Sequence, residues 1–329
     1  MRRISRMFFM MLLALALVAA GCSNSSSSGS SGGNDTIEIA YLTPGLDLPF
    51  WKYLSDGIQA EAEKQGYKYQ VYDSHNSSAD QLKNAQDAIT KRVDVIIISP
   101  TDSSSAPAVL KEAENAGIPV IIADIGTDSG NYESLIISDN RKGAMEVGEY
   151  LANAMKGKGW NDGAVAQVTI SLARKNGQER TKGFEDAVTA AGFQVVDIKQ
   201  MEKYTRAEAE GFAQDLMTAH PNLRAIFGQT DEPTLGIVKA VQAANKANDI
   251  FVVGFDATPE TIEKIRTGEM LAASVQQPVL MGREAFKAAM KVLNGESVEK
   301  QVNVPTLLVT KDNVDEMQSV LEDTVFPPQ

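Results

Sequence analysis

The sequence predicts an α/β protein made of two doubly wound parallel-sheet lobes joined by a multi-strand hinge. Three observations carry this expectation. From residue 36 onward, short β-rich runs alternate with amphipathic stretches of helix length, the pattern of a βαβ series. Val95-Ile96-Ile97-Ile98 and Val120-Ile121-Ile122 are continuously apolar, as strands covered on both faces of a parallel sheet must be. The alternation yields about ten strands, too many repeats for one compact sheet and comfortable for two.

Taken in order, the first series places strands at 36–42, 67–73, 93–99, 119–124 and 134–138. Helices at 50–64, 79–91 and 105–116 lie between them, each with apolar residues at helical spacing. A second series starts after Asp139-Asn140. Its strands are expected at 163–170, 193–199, 224–227, 250–255 and 272–276, and its helices at 142–155, 175–191, 206–219, 234–244 and 259–267. No Pro/Gly/Ser-rich linker separates the two series, so strand-like crossovers are expected to join the lobes. Residues 36–138 with about 278–305 are assigned to the first lobe, and 139–277 with about 306–329 to the second.

The N-terminal segment has a different character. Arg2, Arg3 and Arg6 precede an apolar run over 7–20 and then Gly21-Cys22. Such a run is too short to span a bilayer but suits the apolar region of a signal peptide. Leu17-Val18-Ala19-Ala20-Gly21-Cys22 resembles the bacterial lipobox. The resemblance implies a lipoprotein signal peptide at 1–21, acylation of Cys22, and an extracytoplasmic protein anchored to a membrane by lipid. Residues 22–35 then form the lipidated cysteine and a Ser/Gly-rich tether that reaches about 20 Å on average.

Composition excludes several function classes. With 31 basic and 43 acidic residues the formal charge is −12, which argues against a nucleic-acid partner, because phosphate binding needs clustered Lys and Arg. A single cysteine rules out an internal disulfide, and two histidines leave little for a metal site. His75 sits in a polar turn and His220 precedes Pro221; both are expected at the surface. There is no phosphate loop, no Ser/His/Asp set and no calcium-type acid cluster. Gly157-Lys158-Gly159 is a turn. No cofactor, metal or catalytic activity is expected.

In open parallel sheets, ligands bind beyond the carboxyl ends of the strands. Reading off those ends gives Thr43 to Trp51, Ser99 to Asp102, Asp124 to Asp128, Ser171 to Arg180, Tyr204, Gln229 to Glu232, Asp256 and Gln276-Gln277. Carboxylates, amides and a guanidinium beside aromatic faces suit a polyhydroxylated ligand. Rings cover the C–H face of such a molecule while charged groups take its hydroxyls.

Residues 36 to about 305 resemble the ribose/galactose-type periplasmic sugar-binding proteins of ABC importers, with the type I periplasmic-binding fold. The segments that carry the resemblance are Leu48-Pro49-Phe50-Trp51, VIIISPTD at 95–102, IPVIIAD at 118–124, QERTKGF at 178–184, QTDEPTLG at 229–236 and VGFDATP at 253–259. It implies that Phe50 and Trp51 sandwich a sugar ring, that Asp124 and Asp256 accept from its hydroxyls, and that Arg180 donates to them. Tyr204 stands at the second-lobe aromatic position and Thr230 precedes the Asp231-Glu232 pair. Either Gln276 or Gln277 supplies the hinge amide. Asp231 also reads as the start of a helix, with its charge at the positive dipole end.

Three positions depart from ribose binders: Leu48 and Thr230 replace amides, and Ile125 replaces an arginine. Each buried partner left unpaired would cost about 1–3 kcal/mol, so another pentose, a deoxy sugar or a polyol is expected rather than D-ribose. The implied partners are an ABC permease and its ATPase, with the binding protein a monomer. The alternative is a sensory receptor presenting a sugar-derived signal, such as a furanosyl quorum signal, to a membrane kinase or chemoreceptor.

Overall fold

The computed structural model describes residues 36–327. The expected signal peptide, Cys22 and the tether lie outside the described residues. Among those described, no helix is long and apolar enough to cross a membrane.

Two six-stranded sheets form the framework. The first contains β1 (Glu38–Thr43), β2 (Lys68–Asp73), β3 (Val95–Ile98), β4 (Val120–Ala123), β5 (Ser134–Ser138) and β11 (Gln301–Val304), in the order β11-β5-β4-β3-β1-β2. All its pairings are parallel. The second contains β6 (Ala164–Thr169), β7 (Gln194–Gln200), β8 (Leu223–Gly228), β9 (Phe251–Phe255), β10 (Ala272–Val275) and β12 (Leu307–Thr310), in the order β12-β10-β9-β8-β6-β7. Only the β10–β12 pairing is antiparallel.

Within each sheet the first five strands run 2-1-3-4-5. The winding therefore reverses between β1 and β3 and again between β6 and β8, the points where such sheets open a crevice. The continuous apolar runs have their cause here. Val95 and Ile97 point into one core and Ile96 and Ile98 into the other, on opposite faces of the first sheet.

The helices are α1 (Pro49–Lys64), α2 (Ser78–Thr90), α3 (Ala106–Ala116), α4 (Asn140–Gly157), α5 (Lys175–Ala190), α6 (Arg206–Ala219), α7 (Asp231–Ala243), α8 (Pro259–Thr267), α9 (Pro278–Leu293) and α10 (Gln318–Thr324). Ser77, Asp139, Thr205 and Thr258 cap α2, α4, α6 and α8 by accepting the N–H three residues on. The chain crosses between the sheets three times: after β5, after β10 and after β11. The residue sets are thus exchanged. α4 packs on α5 beside the second sheet, and α9 returns to pack on α1 beside the first. The α1–α9 crossing is close because it uses glycine: a Cβ at Gly57 would collide with the Val279 carbonyl, and one at Gly282 with the Leu54 carbonyl.

Elements α9, β11, β12 and α10 were not among the expected strands and helices. Helix α7 begins at Asp231, three residues before the expected start, because the Asp231-Glu232-Pro233 first turn is a helix N-terminus in its own right.

Candidate functional site

Two aspartates end corresponding strands. Asp124 follows β4 and Asp256 follows β9, and both adopt a left-handed backbone, φ +67° and +66°. Each N–H donates to the neighbouring strand, Asp124 to Ile136 O at 2.8 Å and Asp256 to Ser274 O at 2.9 Å. A left-handed non-glycine residue costs of order 1–3 kcal/mol and persists where its surroundings over-determine it, most often at functional sites. Here the turn brings both carboxylates into one space between the lobes.

Arg180, on the second turn of α5, is 2% exposed. Its Nε donates to Asn140 Oδ1 (2.7 Å), and Nη1 donates to Gln229 O (2.8 Å) and pairs with Asp256 Oδ2 at 3.3 Å. The guanidinium lies 4.0 Å from the centre of the Phe255 ring. Gln276 Nε2 donates to the other Asp256 oxygen at 2.8 Å. Asp124 is bound differently: Asn176 Nδ2, from the opposite lobe, donates to Oδ2 at 3.0 Å. Asp124 Oδ1 and Gln276 Oε1 are buried with no hydrogen-bond partner among the described residues.

Burial pushes the Asp124 carboxyl up to about 6, against the pull of Arg180 and with a push from Asp256. Burial also raises Asp256, opposed by Arg180 and Gln276. Asp231, the first residue of α7, is pushed up to about 7 by burial and by the charge of Asp256.

Phe50 and Trp51 lie on the first turn of α1, edge to face with centroids 4.8 Å apart. Both line the space and also pack into the first-lobe core. Tyr204 is half-buried and in the left-handed region, its hydroxyl accepting from Ser171 N at 3.1 Å. Thr230 precedes α7 and donates to Asp231 Oδ1 at 3.2 Å. Together with Asp124, Arg180, Asp256 and Gln276 these four side chains line a single narrow slot.

Of the two adjacent glutamines, Gln276 faces the slot. Gln277 does not; its amide donates to Pro305 O at 2.8 Å across the crossovers. Leu48 also lines the slot, whereas Ile125 turns into the first-lobe core. His75 is exposed, but His220 is only partly so, with Nε2 3.5 Å from Asp197 Oδ2. Among the described residues no group of His, Cys, Asp and Glu is placed to hold a metal ion.

Sequence reasoning missed Arg174 and Asn176, which line the slot from the β6–α5 connection. Both fall in the Ser171–Arg180 stretch beyond β6, and nothing in their spacing separates them from exposed residues. Arg174 Nε donates to Thr101 O (2.8 Å) and Nη2 to Asn76 Oδ1 (2.7 Å), both in the first lobe. Lys175 Nζ donates to Thr127 O at 2.8 Å. The lobes are closed on each other along this line.

A family model described as "Periplasmic binding protein domain" matches residues 39–297. The chain is 37% identical over 277 residues to the ribose import binding protein RbsB of Salmonella typhimurium, covering 84% of this chain and 91% of that protein. It is similar in structure to a carbohydrate transporter solute binding protein from Agrobacterium radiobacter in complex with D-arabinose. There the TM-score is 0.82 at 25% identity, over 88% of this chain and 99% of that one. A solute binding protein of an ABC transporter from Bacillus halodurans with bound myo-inositol gives a TM-score of 0.81 at 27% identity, again over 88% and 99%. The chain belongs to the periplasmic binding protein domain family and has its type I, two-lobed fold.

Proposed function

We propose that this protein is an extracytoplasmic solute-binding protein that encloses a sugar or sugar-like polyol between its lobes and delivers it to an ABC permease and its ATPase. The observation that carries the reading is the convergence of Asp124 Oδ1 and Gln276 Oε1, buried acceptors without partners among the described residues, on one slot walled by Arg180, Phe50 and Trp51. Buried acceptors of this kind call for a ligand rich in O–H donors. Aromatic edges and faces cover its C–H surface. The ligand docks on one lobe, the lobes rotate about the crossovers, and hydrogen bonds strengthen as water leaves. Closure also brings surfaces of both lobes into register, so that a permease distinguishes loaded from unloaded protein.

Relatives named for ribose import, and solved neighbours holding D-arabinose or myo-inositol, support transport over the receptor alternative. Leu48, Thr230 and Ile125 direct the choice away from D-ribose itself, toward a ligand with fewer or differently placed hydroxyls. The same reading includes a monomer held to its membrane by lipid on Cys22; mass spectrometry of the wild type and of Cys22→Ser tests the anchor, which predicts a lipid adduct only in the former. The function is tested by a thermal-shift screen over pentoses, hexoses, polyols and furanosyl signals. At least one member should raise the melting temperature by mass action; no shift across the panel contradicts the proposal.

A further inference from the structure

The slot has a neighbour. A second, outer cavity of about 750 Å³ opens between the lobes, lined by Asp47 and His75 on one side and by Lys203, Thr205 and Glu232 on the other. Leu48, Trp51, Arg174 and Tyr204 line both spaces and form the wall between them.

Arg174 is the polar member of that wall that is tied across the cleft. It is 5% exposed although it lies between two cavities. Its guanidinium lies 5.1 Å from the centre of the Tyr204 ring and donates to Thr101 O and Asn76 Oδ1 of the opposite lobe. The flanking backbone is fixed as well: Ser103 N donates to Ala173 O at 3.3 Å, and Lys175 N donates to Ser103 Oγ at 3.2 Å. Asn76 is itself held in the left-handed region, φ +56°, by its N–H to Pro44 O. A side chain anchored from both lobes, on a backbone anchored on both sides, cannot swing aside in the closed form without giving up these bonds.

We propose that Arg174 is the size gate of the site. It seals the slot from the outer cavity when the lobes close, so a single free ring is retained and a ring carrying a substituent that projects toward the outer cavity is rejected. Truncating the Arg174 side chain to a methyl group should join the two spaces and give the substituent somewhere to go. This rests on the sugar-binding reading above.

The test uses the full chain with D-ribose, D-arabinose, D-allose and their methyl glycosides as probes, by thermal shift and then calorimetry. The wild type should bind at least one free sugar and reject its methyl glycoside. Arg174→Ala should bind that glycoside at least tenfold more tightly than the wild type does, so that its ratio of glycoside to free-sugar affinity rises. Equal binding of sugar and glycoside by the wild type overturns the gate. So does continued rejection of the glycoside by Arg174→Ala, or loss of all binding by a variant that still melts cooperatively. If Arg174→Ala does not fold, Asn76→Gly decides: it suits the left-handed backbone and removes one anchor. It should relax the rejection in the same direction by a smaller factor, and unchanged discrimination overturns the proposal. A wild type that binds none of the free sugars while binding another polyol leaves the solute-binding reading standing and removes the gate as stated. A wild type that binds no polyol at all counts against the reading itself.

Discussion

The two walls of the slot are built on corresponding strands but are wired differently. In the second lobe Asp256 spends one oxygen on Arg180 and the other on Gln276, partners from its own lobe and its edge at the hinge. In the first lobe Asp124 has one partner, Asn176, which belongs to the opposite lobe, and its other oxygen has none among the described residues. The second-lobe network can therefore persist when the lobes part, whereas Asp124 exchanges Asn176 for water. The lesson is that equivalent positions divide the work: Asp256 and Arg180 are a preorganised surface for docking, and Asp124 is the group whose environment changes with closure.

The largest effect that would break this comparison is expected at Arg180. Arg180→Ala leaves the Asp256 charge buried without its cation and the Gln229 carbonyl and Asn140 oxygen without a donor. Breaking such a pair costs about 3–5 kcal/mol, read as a lower urea midpoint, and sugar affinity should fall more than about tenfold. A melt like that of the wild type would show that the second-lobe wall is not the rigid one.

Asp124→Asn is the counterpart. It should weaken sugar binding by about ten- to a hundredfold, the worth of one charged hydrogen bond. Its melting temperature should be unchanged or higher, because burial already opposes the Asp124 charge. A loss of stability as large as that of Arg180→Ala would erase the distinction between the walls.

Acidity sharpens it further. The Asp124 carboxyl is pushed up to about 6 and Asp231 to about 7 in the closed fold, above the ordinary carboxylate value of about 3.9. The stability these groups contribute is complete below that ordinary value and is lost as pH rises through about 6 and about 7. A sugar donating to Asp124 favours the carboxylate, so affinity should fall between pH 7 and pH 5. Calorimetry should show a smaller fall in Asp124→Asn; an equal fall would assign the titration to another group.

The smallest predicted contrast separates the adjacent glutamines. Gln276→Ala should weaken binding by about fivefold, the worth of one neutral hydrogen bond. Gln277→Ala, which touches the crossover at Pro305 and not the slot, should leave the direct contacts intact and change affinity less. Reversed magnitudes would move the hinge amide to the other residue.

Much of this was legible in the chain, for reasons that also explain the rest. Asp124 and Asp256 stand at the ends of buried apolar runs, where the βαβ rhythm itself marks the ligand side of a sheet. Past Gln277 that rhythm stops. Helix α9 crosses back to the first lobe, and β11 and β12 are four residues each, separated by Pro305 and sent to different sheets. Strands that short and half-exposed carry no period to read. Arg174 and Asn176 escaped for another reason: their roles are set by side chains of the opposite lobe, and contacts across a cleft leave no mark on local spacing. Ile125 shows the converse: it falls in the Asp124–Asp128 stretch on the ligand side of the sheet, yet its side chain joins the core.

The central claim is that two unlike walls close on one hydroxyl-rich molecule. A crystal structure with the tightest-binding sugar of the panel tests it most directly. The account predicts the ring against Phe50 and Trp51, with hydroxyls donating to both Asp124 Oδ1 and Gln276 Oε1 and accepting from Arg180. A sugar seated in the outer cavity, or bound with Asp124 Oδ1 still without a donor, would contradict it.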